Sequence, residues 1–105
     1  MTVDLEREGD VFVLRFEAGE NRFRPENLLA WHEALDRVEG AGHPAALVTT
    51  GAGKFYSNGL DLDWMISQAD EDARRTYIPK VLALMARVLT FPTFTVAAIN
   101  GHAFG

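Results

Sequence analysis

Cysteine is absent from the 105 residues, and basic side chains are in short supply. Without cysteine the chain has no disulfide framework, no cysteine–zinc site and no thiol nucleophile, which fits a reducing compartment. Ten lysines and arginines stand against fifteen acids, so the formal net charge is −5. An acidic chain repels a phosphate backbone, and we therefore expect no nucleic-acid partner.

Long apolar runs are also missing, so we expect no membrane partner. No window approaches the ~18 apolar residues of a transmembrane helix, and the longest apolar run near the end, Phe94 to Ile99, has the length of a strand. Acids interrupt the residues after Met1, and we expect no signal peptide there. Apolar residues still make up 48% of the chain, which predicts one globular domain or part of one.

The first half of the chain has two clear periodicities. Two runs alternate in character around Gly9-Asp10 and predict a β-hairpin: Val3 to Glu8 and Val11 to Phe16. Pro25 suits the first position of a helix that ends before Gly40. The apolar stripe of this helix repeats at helical spacing: Leu28, Trp31, Leu35 and Val38.

The second half predicts two strands with a helix between them. Ala45 to Thr50 and Thr93 to Ile99 are short apolar runs, each expected to be a buried strand. Asp70 to Leu89 predicts a helix that Pro79 kinks or restarts. The apolar face of that helix is expected to contain Ile78, Val81, Leu82, Met85, Val88 and Leu89. A short helical turn is also expected to begin at Leu60 or Asp61.

The resulting order of elements, β-β-α-β-α-β, favours an α/β fold in which the last two strands pair in parallel. The chain stops at Gly105 inside a turn, directly after the last predicted strand. Glycines in such a turn usually prepare a following element, so we expect the domain to continue beyond it.

Several familiar catalytic motifs are not matched. Gly51 to Lys54 resembles a phosphate-binding loop, but Val48 replaces its first glycine and Phe55 its serine or threonine. The three histidines lack the spacing of metal ligands, and we expect no metal site. Ser57 lies outside any Gly-x-Ser-x-Gly elbow, which argues against a serine hydrolase.

Two glycine-containing turns follow the predicted strands, Lys54 to Leu62 and Ile99 to Gly105. Ligands of open α/β sheets gather beyond the carboxyl ends of the strands. Gly59 tolerates positive φ, and such a turn aims backbone N–H groups at an anion or a developing oxyanion. The competing interpretation is that both turns only end their strands.

These turns resemble the two signatures of the crotonase, or enoyl-CoA hydratase/isomerase, family. Phe55 to Leu62 is similar to the family's Phe-x-x-Gly-x-Asp-Leu/Ile segment. Ala97 to Gly105 is similar to its Ala-x-x-Asn-Gly-x-Ala-x-Gly-Gly-Gly turn, and Asn21 to Glu26 resembles its Asn-Ala-Leu-x-Pro-Glu loop. The sequence from Ser57 to Leu62 is most like that of the members that isomerise 3-enoyl-CoA to 2-enoyl-CoA.

The resemblance implies a crotonase-like α/β fold of repeated β-β-α units. Residues 1–105 would be its N-terminal part, cut off within the second oxyanion turn. The implied substrate is an acyl-CoA thioester, with coenzyme A part of the substrate and no separate cofactor. Its enolate oxygen would be held by two backbone N–H groups, the first from Leu60 and the second from the residue after Gly105. The catalytic glutamates are also expected beyond Gly105.

The resemblance further implies a set of substrate-binding residues: Arg22, Ser57, Asn58, Gly59, Leu60, Asp61 and Gly105. Trp64 and Met65 are candidates for the acyl tunnel, although such a pair also suits a plain core. Asp63 replaces a lysine or arginine common in the family, so Arg22 and Arg24 are alternative contacts for the phosphates of coenzyme A. A homotrimer or hexamer is expected, in the cytoplasm, or in peroxisomes or mitochondria of a eukaryote.

Alternatives to the isomerase stay open at this point. Hydration, thioester hydrolysis and decarboxylation reuse the same oxyanion pocket with different side chains. A non-catalytic acyl-CoA-binding or assembly module would keep both glycine turns and lack the glutamates. Residues 1–105 alone are expected to be inactive, because they hold one proposed donor and no candidate base.

Overall fold

The computed structural model describes residues 2–105, which form a four-stranded sheet, a two-stranded sheet and three helices. The large sheet contains β1 (Val3–Glu8), β2 (Val11–Phe16), β3 (Ala46–Gly51) and β5 (Thr95–Ala97), in the order β1-β2-β3-β5. The small sheet pairs β4 (Phe55–Ser57) with β6 (His102–Ala103). The helices are α1 (Pro25–Glu39), α2 (Leu62–Ser67) and α3 (Glu71–Leu89). None of these three is long and apolar enough to cross a bilayer.

The predicted hairpin and first helix are confirmed. β1 and β2 pair antiparallel from Val3 opposite Phe16 to Glu8 opposite Val11. Every second side chain of β2, at positions 12, 14 and 16, is buried in the hydrophobic core, to which α1 also contributes. All four stripe residues of α1 are buried as well, and Trp31 meets Phe16 edge-to-face at 5.7 Å. Each such large apolar side chain contributes roughly 1.5–3 kcal/mol when fully buried.

The predicted parallel pairing of the last two long strands is also confirmed. Leu47 lies opposite Thr95 and Thr49 opposite Ala97, with α3 in the crossover between them. The α/β fold class therefore holds for the described residues. The carboxyl ends of β3 and β5 reach the same edge of the sheet, which brings the two glycine-containing turns together.

The prediction that Thr93 to Ile99 is buried is wrong. The strand is shorter than expected, and Phe94 is 73% exposed and Ile99 61% exposed. β5 is the edge strand of its sheet, and nothing among residues 2–105 covers its outer side. An apolar run signals a preference for burial, but burial also requires a covering element.

The apolar face predicted for α3 is wrong in part. The buried stripe is Tyr77, Val81 and Leu84, whereas Leu82 and Leu89 are exposed. The spacing of four and then three residues places the buried side chains against α1, and the exposed leucines belong to a neighbouring stripe with no partner element in residues 2–105. The helix continues through Pro79 without a break, so it does not restart there.

The β4–β6 pair was not predicted, and it positions the candidate site. The strands are parallel, with Phe55 opposite His102 and Ser57 opposite Ala103. The backbone N–H of Phe104 donates to the carbonyl of Ser57 at 2.9 Å. A Cβ at Gly101 would overlap the Lys54 carbonyl, so the approach of the two segments requires glycine at that position.

Candidate active site

Gly59 is the point where the two glycine-containing turns touch. Its φ is +72°, a left-handed value that glycine adopts without strain. A Cβ at this position would overlap the backbone of Gly105 and of Phe104. The predicted site residues Gly59 and Gly105 are therefore in direct backbone contact, and glycine is required at 59 for both its conformation and its space.

The backbone N–H of Leu60 is the unpaired donor of this turn. The Gly59 N–H donates to Ser57 Oγ at 3.0 Å, and the Asp61 N–H donates to the Tyr77 hydroxyl at 2.8 Å. The N–H of Leu60, between them, has no acceptor among residues 2–105. Leu60 is half-buried, and a backbone N–H without an internal partner is available to an external acceptor.

The direction of this N–H is set from the opposite side of its peptide group. The Phe23 N–H donates to the Gly59 carbonyl at 2.9 Å. Because the carbonyl and the N–H of a trans peptide point in opposite directions, the Leu60 N–H points away from Phe23. The loop before α1 therefore orients the donor without using it.

Asn21 is a hub of the site that sequence reasoning missed. It is fully buried and adopts φ +56°, which asparagine tolerates better than most residues. Its Nδ2 donates to the Phe55 carbonyl at 2.9 Å, and its Oδ1 accepts from the Ala18 N–H at 2.8 Å. The Ser57 hydroxyl donates to its carbonyl at 2.9 Å. Asparagine beside Gly19 in a polar loop was the available signal.

Arg22 and Asn58 share one carboxylate at the rim of the site. Arg22 lies 2.8 Å from Glu20 Oε2, and Asn58 Nδ2 donates to the same oxygen at 3.0 Å. These hydrogen bonds, from Asn58 first and then from Arg22, hold the pKa of Glu20 below its ordinary value. Arg22 also donates to the Leu60 carbonyl at 3.3 Å, so it contacts the residue with the unpaired N–H.

Asp61 is held by an ion pair and by hydrogen bonds within the chain. Its buried carboxylate pairs with Arg24 Nε at 2.6 Å and caps α2 by accepting from the Trp64 N–H at 2.9 Å. Burial acts to raise the pKa of Asp61, but the hydrogen bonds from Arg24 and Trp64 and the charges of Arg24 and Arg22 outweigh it, and the pKa is lowered. A role of Asp61 in binding substrate stays a prediction, and its contacts within the chain are structural.

Replacing Asp61 is expected to change how the stability of the fold depends on pH, because the ion pair with Arg24 is lost. Asp61→Asn should lower the free energy of unfolding at pH 7 by about 1 kcal/mol, because one charged hydrogen bond to half-exposed Arg24 is lost. A lowered folded-state pKa stabilises the fold above the unfolded value of about 3.9, and this stability is lost as pH falls through the folded pKa. The difference in urea midpoint between variant and wild type should therefore shrink below about pH 4.

Asp63→Asn is the matched control, because Asp63 is exposed and lies only two positions further along. Its stability should stay within about 0.5 kcal/mol of wild type. A difference for Asp61→Asn that persists unchanged in acid would contradict the assigned ion pair.

A groove of about 560 Å³ runs beside these residues. Its lining includes Arg22, Arg24, Asp61 and Asp63. Both arginines are already paired with carboxylates, Arg22 with Glu20 and Arg24 with Asp61, so a phosphate would have to exchange with those partners. Their predicted contact with the phosphates of coenzyme A stays a prediction.

Trp64 and Met65, the candidates for an acyl tunnel, pack against the core. The Trp64 ring lies 5.1 Å from the ring of Tyr77. This contact supports the competing interpretation of the pair as core residues. Together the two loops and β6 bring Arg22, the 57–61 turn and Gly105 next to one another, and their role in binding substrate stays a prediction.

Comparison with known proteins adds to this geometry. A family model described as enoyl-CoA hydratase/isomerase matches residues 6–105. Enoyl-CoA delta isomerase 3 of Arabidopsis thaliana is 35% identical over 103 residues, which cover 94% of this chain and 43% of that protein. The peroxisomal enoyl-CoA delta isomerase 2 of the same plant is 32% identical, over 94% of this chain and 44% of its own. The chain thus spans less than half the length of these curated relatives.

The fold has a close match among solved structures. An enoyl-CoA hydratase from Mycobacterium ulcerans superposes with a TM-score of 0.88 at 26% identity, covering 98% of this chain and 45% of that one. The crotonase-like α/β fold expected from the sequence is thereby confirmed, and so is the family resemblance.

Proposed function

Because the chain belongs to the enoyl-CoA hydratase/isomerase family, we propose that the protein acts on an acyl-CoA thioester and shifts its double bond from C3 to C2. The unpaired N–H of Leu60 beside Gly59 is the observation that carries this proposal. Relatives named enoyl-CoA delta isomerases support the choice of reaction. Coenzyme A arrives as part of the substrate, and the proposal needs no other cofactor.

The proposed chemistry follows from a donor aimed at an oxygen. Removing a proton from C2 of a 3-enoyl thioester leaves the charge on the thioester oxygen as an enolate. A fixed N–H dipole stabilises that charge without solvent reorganisation, and one such donor lowers the barrier by about 2.7–4 kcal/mol. Returning the proton at C4 gives the 2-enoyl thioester, so atoms and charge balance.

The base that carries this proton is proposed to lie outside residues 2–105. The two carboxylates nearest the turn in the hydrogen-bond network, Glu20 and Asp61, are both paired with arginines. Their pKa values are lowered, which makes them weak bases. Neither is therefore suited to remove a proton from carbon.

Residues 1–105 assayed alone are accordingly expected to give no turnover with 3-enoyl-CoA or 2-enoyl-CoA. The reason is chemical, because the described residues offer one oriented donor, and the two carboxylates bonded to this site, Glu20 and Asp61, are held by arginines with lowered pKa values. Chromatographic analysis of the products over a long incubation measures this. Clear catalysis by the purified piece would mean that the base lies within it.

The reaction itself is tested with the full-length protein and 3-enoyl-CoA. Formation of 2-enoyl-CoA, without gain of water or release of free coenzyme A, supports the isomerase. A 3-hydroxyacyl-CoA from 2-enoyl-CoA would instead indicate a hydratase, and free coenzyme A a hydrolase. Binding of a saturated acyl-CoA without any product would indicate the non-catalytic module.

Assembly and location are proposed mainly on the family resemblance. A homotrimer or hexamer is consistent with the exposed apolar side chains of Leu89, Phe94 and Ile99, which another polypeptide surface would cover. The proposed location is the cytoplasm, or a peroxisome or mitochondrion in a eukaryote. Two of the relatives carry the description peroxisomal.

A further inference from the structure

We infer that the hydroxyl of Tyr77 is a positioning group for the Leu60 N–H, holding together the two segments that orient it. This inference rests on the proposed function, since it gives a role to a residue that acts through the proposed oxyanion donor. Tyr77 lies on α3, far along the chain from both segments, and none of the sequence motifs includes it.

The Tyr77 hydroxyl joins the two segments by two short hydrogen bonds. It donates to the Phe23 carbonyl at 2.6 Å and accepts from the Asp61 N–H at 2.8 Å. The residue is 1% exposed, so water does not compete for either bond. Burial raises the pKa of Tyr77 above its ordinary value, and the hydroxyl keeps its proton at neutral pH.

These bonds flank the donor on both sides. Phe23 uses its N–H to hold the Gly59 carbonyl, which sets the direction of the Leu60 N–H, and its carbonyl to hold Tyr77. Asp61, the residue after Leu60, is held by the same hydroxyl. One phenol oxygen thereby couples the peptide group before Leu60 to the peptide group after it.

The helix that carries Tyr77, α3, is packed in the core and tied to α1. Val81 and Leu84, one and two turns beyond Tyr77, are buried in the core. Arg87 ties the end of α3 to α1 through Asp36 at 2.7 Å and Glu39 at 2.8 Å. A group fixed on a packed helix positions a loop more accurately than another loop does.

The test is Tyr77→Phe in the full-length protein. Removing only the oxygen keeps the ring against Trp64 but leaves the Asp61 N–H and the Phe23 carbonyl without their partner. We expect kcat to fall by about ten- to hundredfold because the donor is misplaced. KM and the affinity for a saturated acyl-CoA should change little, since the interaction matters most for the enolate.

Tyr56→Phe is the matched control. Tyr56 is the other tyrosine of the chain, and its hydroxyl bonds to Thr49 Oγ1 of β3 at 2.7 Å rather than to the residues on either side of Leu60. This variant should keep the kcat of wild type. A fall in kcat equal to that of Tyr77→Phe would overturn the inference, because it would show a general loss of packing.

Three further outcomes separate the inference from the proposed function. If Tyr77→Phe melts at a lower temperature but keeps wild-type kcat below that temperature, the hydroxyl is structural only and the inference is wrong. If Leu60→Pro keeps full turnover, the oxyanion role of Leu60 is wrong, and the inference that rests on it is wrong as well. If Leu60→Pro is inactive while Tyr77→Phe is fully active, only the positioning role is rejected.

Discussion

Leu60→Pro in the full-length protein is expected to lower kcat about a hundredfold or more, the effect of losing one oxyanion donor. Proline has no N–H, so the substitution deletes the donor itself. The fold loses no internal hydrogen bond, because this N–H has no acceptor in the described part of the chain. Steady-state turnover of 3-enoyl-CoA measures the effect.

Leu60→Ala is the control, because it changes the side chain and keeps the N–H. It should retain most of the turnover of wild type. Proline also restricts the residue before it, here Gly59, so thermal unfolding of both variants must be compared. Full turnover by a folded Leu60→Pro protein would show that this N–H does not stabilise the transition state.

Gly59→Val should abolish turnover for a different reason. Valine at φ +72° is strained by roughly 1–3 kcal/mol. Its Cβ would also overlap the backbone of Gly105 and Phe104, so β6 must separate from β4 or the turn must move. Either movement displaces Leu60, and we expect activity below detection in the same assay.

Gly53→Val separates the two causes. Gly53 has a similar φ of +78°, but a Cβ there meets nothing within 4 Å. This variant should lose stability through strain and keep its turnover per folded molecule. Equal loss of activity in both variants would mean that backbone strain, rather than the approach of Gly105, explains the effect at Gly59.

Local periodicity was sufficient to predict the elements that pack on each other within the chain. The alternation of β2 and the stripe of α1 meet in one core, so each pattern matches an observed buried face. The same reasoning failed for Phe94 to Ile99. The apolar residues of this edge strand indicate a preference for burial, but they do not show whether another element covers them. It also failed for half of the α3 face, where two apolar stripes compete and only tertiary packing selects one.

The sequence likewise identified only some residues of the candidate site. The residues of the 57–61 turn were identified from the family resemblance, and the positive φ expected for Gly59 is observed. Asn21 and Tyr77 were not identified, because their roles depend on hydrogen bonds to residues far along the chain: Asn21 bonds to Phe55, 34 positions away, and Tyr77 to Asp61 and Phe23, 16 and 54 positions away. No spacing rule within one helix or loop reports contacts of that range.

The most direct test of the oxyanion role is the carbonyl stretch of a saturated acyl-CoA carrying 13C at its thioester carbon, bound to the full-length protein. A hydrogen bond from the Leu60 N–H polarises this carbonyl, so its infrared band should move to lower frequency on binding to wild type and to Leu60→Ala. The shift should be largely lost in Leu60→Pro. An equal shift in all three proteins, or none in wild type, would contradict the assignment of Leu60 as the donor.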